Sequence, residues 1–79
     1  MKLPRDLSGA GLVKVLCKHY VYVRLHQEGR HKVLQTEQPV RHRLSVPDHS
    51  PLRLGTLNAL LNAVSRAQGV TKDDILEKL

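Results

Sequence analysis

Apolar residues recur along this chain with two different periods, and the change from one to the other divides it into elements. Leu12, Val13, Leu16, Cys17 and Tyr20 return at intervals of one, three and four, the stripe of a helix face. Ser8 stands where an N-cap belongs, and Leu7 and Leu12 have the N′-to-N4 spacing of a hydrophobic staple. Lys14 and Lys18 fall on another face of the same helix. Gly9 and Gly11 weaken its first turn, so this helix needs a sheet to pack on. The residues before it read as an extended lead-in, because Pro4 discourages an earlier helix.

From Tyr20 to Gln27 the period becomes two. Val21, Val23 and Leu25 alternate with Tyr22, Arg24 and His26, which predicts a strand with one buried face. Glu28-Gly29 is a turn signal, and His31 to Thr36 is a second strand. Val33 and Leu34 are adjacent and both apolar, so the facing of that strand stays open. After the turn at Glu37-Gln38-Pro39, Val40 to Val46 forms a third strand. It has Val40, His42, Leu44 and Val46 on one face and Arg41, Arg43 and Ser45 on the other. Two short connections favour an antiparallel meander, whose exposed face is expected to collect Arg24, Arg41 and Arg43. Beyond the loop Pro47 to Pro51, a second helix is expected to start near Gly55-Thr56. It carries the stripe Leu57, Leu60, Leu61 and Val64, and stops before Gly69, a natural C′ residue. Thr71 with Asp74 three residues on makes a shortened capping box for a short third helix, docked by Ile75, Leu76 and Leu79. The expected architecture is α+β: one domain over residues 1–79, with a three-stranded antiparallel sheet packed on two helices and a short C-terminal helix.

Composition sharpens this picture. Phe and Trp are absent and Tyr20 and Tyr22 are the only aromatics, so the core must be aliphatic. The stacking platforms of single-strand RNA binders are mostly missing. The net charge is +6. Residues 1–70 hold eleven Lys/Arg against four carboxylates, whereas the last nine residues hold two against three. A cationic body of this kind attracts polyanions, of which nucleic acid is the usual one. Cys17 stands alone, which leaves no internal disulfide and no cysteine-based zinc site. His19, His26, His42 and His49 match no compact metal-ligand spacing. Neither metal nor cofactor is expected. No apolar run follows Met1-Lys2 and none approaches the ~18–20 residues needed to span a bilayer, so the expected compartment is the cytoplasm.

Two places can carry chemistry. His31 follows Gly29-Arg30 and precedes Lys32. A histidine exchanges protons near neutral pH, and flanking cations hold a phosphate beside it. RNA transesterification needs this combination: a base for the 2′-OH or an acid for the 5′ leaving oxygen, with the phosphate's charge stabilised. The alternatives for the same residue are a hydrogen-bond donor that binds phosphate and a plain polar residue at a strand edge. The start of the second helix is the other place, because its unpartnered N–H groups, Arg53 just upstream and the small Gly55 suit a phosphate.

Three segments then point to a family. The opening Met1-Lys2-Leu3-Pro4-Arg5-Asp6-Leu7-Ser8-Gly9 resembles the start of HicA (YcfA-like) toxins. So does the Gly29-x-His31 step. Val46-Pro47-Asp48-His49, running on through Leu54-Gly55-Thr56-Leu57, resembles the family's "VP-x-H…L-x-x-GTL" signature. The resemblance runs over nearly the whole chain. It implies an α-β-β-β-α fold like that of a double-stranded-RNA-binding domain. It also implies a small mRNA-cleaving toxin of a type II toxin–antitoxin pair, restrained by a HicB-type antitoxin. The family's catalytic histidine falls on His31. Arg30 stands where the family usually carries a small polar residue.

Two functions are therefore expected to compete. The first is a metal-independent endoribonuclease acting through His31, with Arg24, Arg30, Lys32, Arg41, Arg43 and Arg53 as RNA contacts. It would be a monomer or weak dimer when free of its antitoxin. The second is a non-catalytic basic RNA-binding module on the same fold.

Overall fold

The computed structural model describes residues 3–79. Met1 and Lys2 of the opening motif lie outside the described residues. The elements follow the order α1 (Gly9–His19), β1 (Val23–Glu28), β2 (His31–Thr36), β3 (His42–Pro47), α2 (Leu54–Gln68) and α3 (Lys72–Leu76). This is the expected α-β-β-β-α order with a short helix appended. The strands form one antiparallel sheet in the order β1-β2-β3.

Local chemistry accounts for most boundaries. Ser8 caps α1, its Oγ accepting from the Gly11 N–H at 3.0 Å. Gly69 ends α2 in the left-handed conformation, φ +69°. Thr71 and Asp74 close a reciprocal capping box on α3. Glu28 pairs with His31 across a two-residue loop, and Gly29 supplies the positive φ (+56°) that such a hairpin requires at its first loop position. α2 begins at Leu54, slightly earlier than its composition suggests, with Arg53 at the N-cap position and no side-chain cap.

One core, aliphatic except for Tyr20 and Tyr22, joins the layers. Leu12, Val13 and Leu16 of α1 meet Leu34, Leu44 and Val46 of the sheet and Leu57, Leu61 and Val64 of α2, and Ile75 docks α3 against them. Both long helices lean on β3, and β1 is exposed along its whole length.

The facing of β1 differs from the alternation read in the sequence. Tyr20 and Tyr22 are both buried, whereas Val21, Val23 and Leu25 are exposed. Val21 is the reason for the first reversal: it takes φ +58°, a region that a β-branched residue rarely occupies. That conformation turns the chain so that both tyrosines enter the core. A bulge between Arg24 and His26 then resets the pairing a second time. β3 is also shorter than expected, and Val40 lies outside it, exposed.

Burial raises the pKa of both tyrosines above the ordinary phenol value of about 10; for Tyr20 the Asp74 charge adds to the effect. A folded-state pKa above the unfolded one leaves stability unchanged below about pH 10 and removes it as pH rises further. The urea midpoint is therefore expected to hold steady up to about pH 9.5 and fall by pH 11. Tyr22→Phe, which removes one of the two groups and its 2.7 Å hydrogen bond to His42 Nδ1, is expected to lower the neutral midpoint but flatten the alkaline fall.

Candidate active site and nucleic-acid interface

The sheet has an inner face toward the helices and an outer face, and strand register assigns each candidate to one of them. The rows Lys32–Val46, Leu34–Leu44 and Thr36–His42 alternate with His31–Pro47, Val33–Ser45 and Gln35–Arg43. Leu34, Leu44 and Val46 belong to the core, so Lys32 points inward and His31 outward. Arg24 pairs with Leu34 and also faces inward, while Val23 pairs with Gln35 and shares the outer row of Arg43. The expected grouping of Arg24, Arg41 and Arg43 on one exposed face is therefore overturned. The turn at Val21 shifted the parity of β1 by one, which sends Arg24 to the opposite side from Arg43. The open question at Val33 and Leu34 resolves the same way: Leu34 enters the core, and Val33 lies on the outer face with His31.

His31 sits at the end of the β1–β2 hairpin, exposed, between Glu28 and Pro47. Asp48 donates its backbone N–H to the Arg30 carbonyl at 2.6 Å, tying the hairpin to the loop after β3. That loop is held in turn by the lead-in. Gly9 N–H donates to the His49 carbonyl and Leu52 N–H to the Leu7 carbonyl, both at 2.8 Å. Segments around residues 7–9, 29–31 and 46–52 thus meet at one end of the sheet, although they are far apart in the chain. Arg53 follows directly, exposed at the start of α2.

The candidate cations are not equivalent, and Arg41 and Arg43 lie toward the opposite end of the β2–β3 ladder from His31. Arg41 donates from Nε to Glu37 Oε1 at 3.1 Å, and Arg43 donates to Gln35 Oε1 at 3.0 and 3.2 Å. Gln35 also donates to Glu37 at 2.7 Å. Hydrogen bonds from Gln35 and Arg41 hold the Glu37 carboxyl below its usual pKa, so this network stays charged and partly neutralises Arg41. Lys32 Nζ stands 3.8 Å from Asp48 Oδ1. Arg24, Arg30 and Arg53 have no ion pair among the described residues.

One arrangement had no signal in the reading of the sequence beyond an i, i+2 spacing before a turn. His26 Nε2 lies 2.8 Å from Glu28 Oε1, on the outer face that carries His31. With Nε2–H donating to the carboxylate, the ring is oriented and its tautomer set. His26 occupies a diagonal position from His31 across the ladder, roughly 7–8 Å away for such pairs. The outer face thus carries two imidazoles and one carboxylate at the hairpin end. Among the described residues no group of three or more His, Cys, Asp or Glu is placed to hold a metal ion, and no helix is long and apolar enough to cross a membrane.

The fold and site together define a small basic α+β domain with a histidine-bearing hairpin. Comparison with protein-family models, curated proteins and solved structures finds no match.

Proposed function

We propose that this protein is a metal-independent endoribonuclease that cleaves mRNA through His31, the toxin of a type II toxin–antitoxin pair of the HicA kind. The observation that carries the reading is the meeting of the three segments that resemble that family. The Gly29-x-His31 step lies against Pro47-Asp48-His49, and the lead-in at Leu7 and Gly9 is hydrogen-bonded to the same loop. His31 is exposed there, open to a phosphodiester.

In this reading one imidazole removes the proton of the 2′-OH, the oxygen attacks phosphorus in line, and the 5′ oxygen leaves with a proton from a second group. His31 is the first of these groups. His26, held by Glu28 through its Nε2–H, supplies the second from its diagonal position, the transferred proton leaving from Nδ1. Arg30 and Arg53 offer unpaired charge for the phosphate. General acid–base catalysis of this kind contributes roughly 10²–10⁴-fold. The partner that restrains it is a HicB-type antitoxin covering this end of the sheet, and the compartment is the cytoplasm. A net charge of +6 opposes self-association and suits a monomer or weak dimer when free.

Induced expression of the wild-type chain in a bacterial host is expected to arrest growth and deplete mRNA. Unimpaired growth with the protein present in soluble, folded form contradicts the proposal.

The second reading, a non-catalytic RNA-binding module, is favoured by one feature: Arg24 and Lys32 gather on the inner face, away from His31. It predicts salt-sensitive binding without cleavage.

A further inference from the structure

β1 extends beyond the helical layer, and its inner face is left uncovered beside α1. The space between them is an open groove of about 530 Å³. Lys14 and Lys18 line it from α1, Arg24 and Lys32 from the sheet, and Val13 and Cys17 from the helix face between them. Four cations surround one groove whose lining includes no carboxylate. Only Lys32 has an ion-pair partner among the described residues, the distant one at Asp48. Lys14 and Lys18, four apart on one helix, repel each other, and Arg24 and Lys32 add to that repulsion. Cationic walls over an apolar floor focus the field into the groove.

We propose that this groove is a second binding site, for the phosphodiester backbone of single-stranded RNA flanking the bond that His31 attacks. The inference rests on the endoribonuclease reading for the identity of the polyanion. No aromatic side chain lines the groove, so an aromatic stacking platform for bases is missing and recognition is mainly through phosphates. Lys32 and His31 are consecutive in one strand and point to opposite faces. A ligand that touches both must pass around the end or the free edge of a single sheet. A flexible strand can follow that path and a stiff duplex cannot.

Cys17 is the only cysteine of the chain and is partly exposed in this groove, so its reactivity reports occupancy. The test uses the full chain carrying His31→Ala, with EDTA, a 12-nucleotide single-stranded RNA and the neutral reagent N-ethylmaleimide. RNA binding, followed by fluorescence anisotropy, is expected to slow Cys17 labelling at least fivefold at saturation. Lys14→Glu with Lys18→Glu is expected to weaken binding at least tenfold. It should also reduce the slope of log Kd against log salt by about 1.4, two contacts at ~0.7 each. Arg66→Glu, on the exposed last turn of α2, is expected to change affinity less than twofold. A duplex of equal length should bind more weakly and protect Cys17 less. Unchanged Cys17 labelling with RNA bound, equal protection by the duplex, or no binding in any arm overturns the proposal. Cleavage by the wild type without Cys17 protection removes the groove and leaves the His31 reading standing; protection without cleavage does the reverse.

Discussion

His31→Ala is expected to lower the rate of RNA cleavage by about 10²–10⁴-fold, the range contributed by a positioned general acid or base. The fold should survive the change. His31 is exposed at the end of β2, its side chain makes no hydrogen bond among the described residues, and its backbone pairing with Glu28 and Pro47 does not depend on the ring. Affinity for uncut RNA should change little, because the unpaired cations lie on other residues. A loss of cleavage with unchanged thermal unfolding and unchanged binding would separate chemistry from structure. His26→Ala should fall between wild type and His31→Ala, because Glu28 can still order water in place of the ring. Cleavage that persists at the wild-type rate in a folded His31→Ala protein removes the assignment.

The second large effect is on stability. Gly9→Ala is expected to destabilise the domain by at least about 2 kcal/mol, the scale of overpacking in a close-packed site. A Cβ at Gly9 would lie 2.0 Å from the Pro47 carbonyl oxygen and 3.1 Å from its carbon, both backbone atoms that cannot rotate away. The Gly9 N–H to His49 carbonyl hydrogen bond fixes the same approach, so relief by withdrawal would break it. Gly11→Ala is the internal control. There the added carbon meets only the side chains of Leu7 and Ser8, at 3.2 Å. Against this mild crowding stands the gain of about 0.5–1 kcal/mol from replacing glycine inside a helix. Urea unfolding should therefore show a large loss for Gly9→Ala and a change within about 1 kcal/mol for Gly11→Ala. Because the same contact positions the loop beside His31, Gly9→Ala should also slow cleavage at temperatures where the protein remains folded.

This glycine illustrates what the sequence could convey. Read locally, Gly9 is a poor helix residue. Its reason is a contact with Pro47, far along the chain, and no local pattern carries that. Where a feature is local it was legible: the stripe of α1, the Ser8 cap, the hairpin at Gly29, the left-handed Gly69 and the Thr71–Asp74 box all follow from short-range chemistry. β1 was legible as a strand and misread in its facing, because period two assigns a face only if no residue breaks the parity. Val21 breaks it with a positive φ, and the bulge at Leu25 breaks it again. The consequences reached the site. Arg24 moved to the inner groove with Lys32, and Arg41 and Arg43 became tied to Glu37 and Gln35 on the other side. The location of His31 at a turn-to-strand junction was legible; that His26 and Glu28 share its face was not, since the face they take depends on where the bulge falls.

The activity proposed for this protein is transesterification of RNA at His31 without a metal. Incubating the purified wild-type protein with a long single-stranded RNA in EDTA, and identifying the new termini, tests it most directly. The expected result is fragments ending in 2′,3′-cyclic phosphate and beginning with 5′-OH, absent with His31→Ala. Intact RNA, or fragments with 5′-phosphate ends, would contradict it.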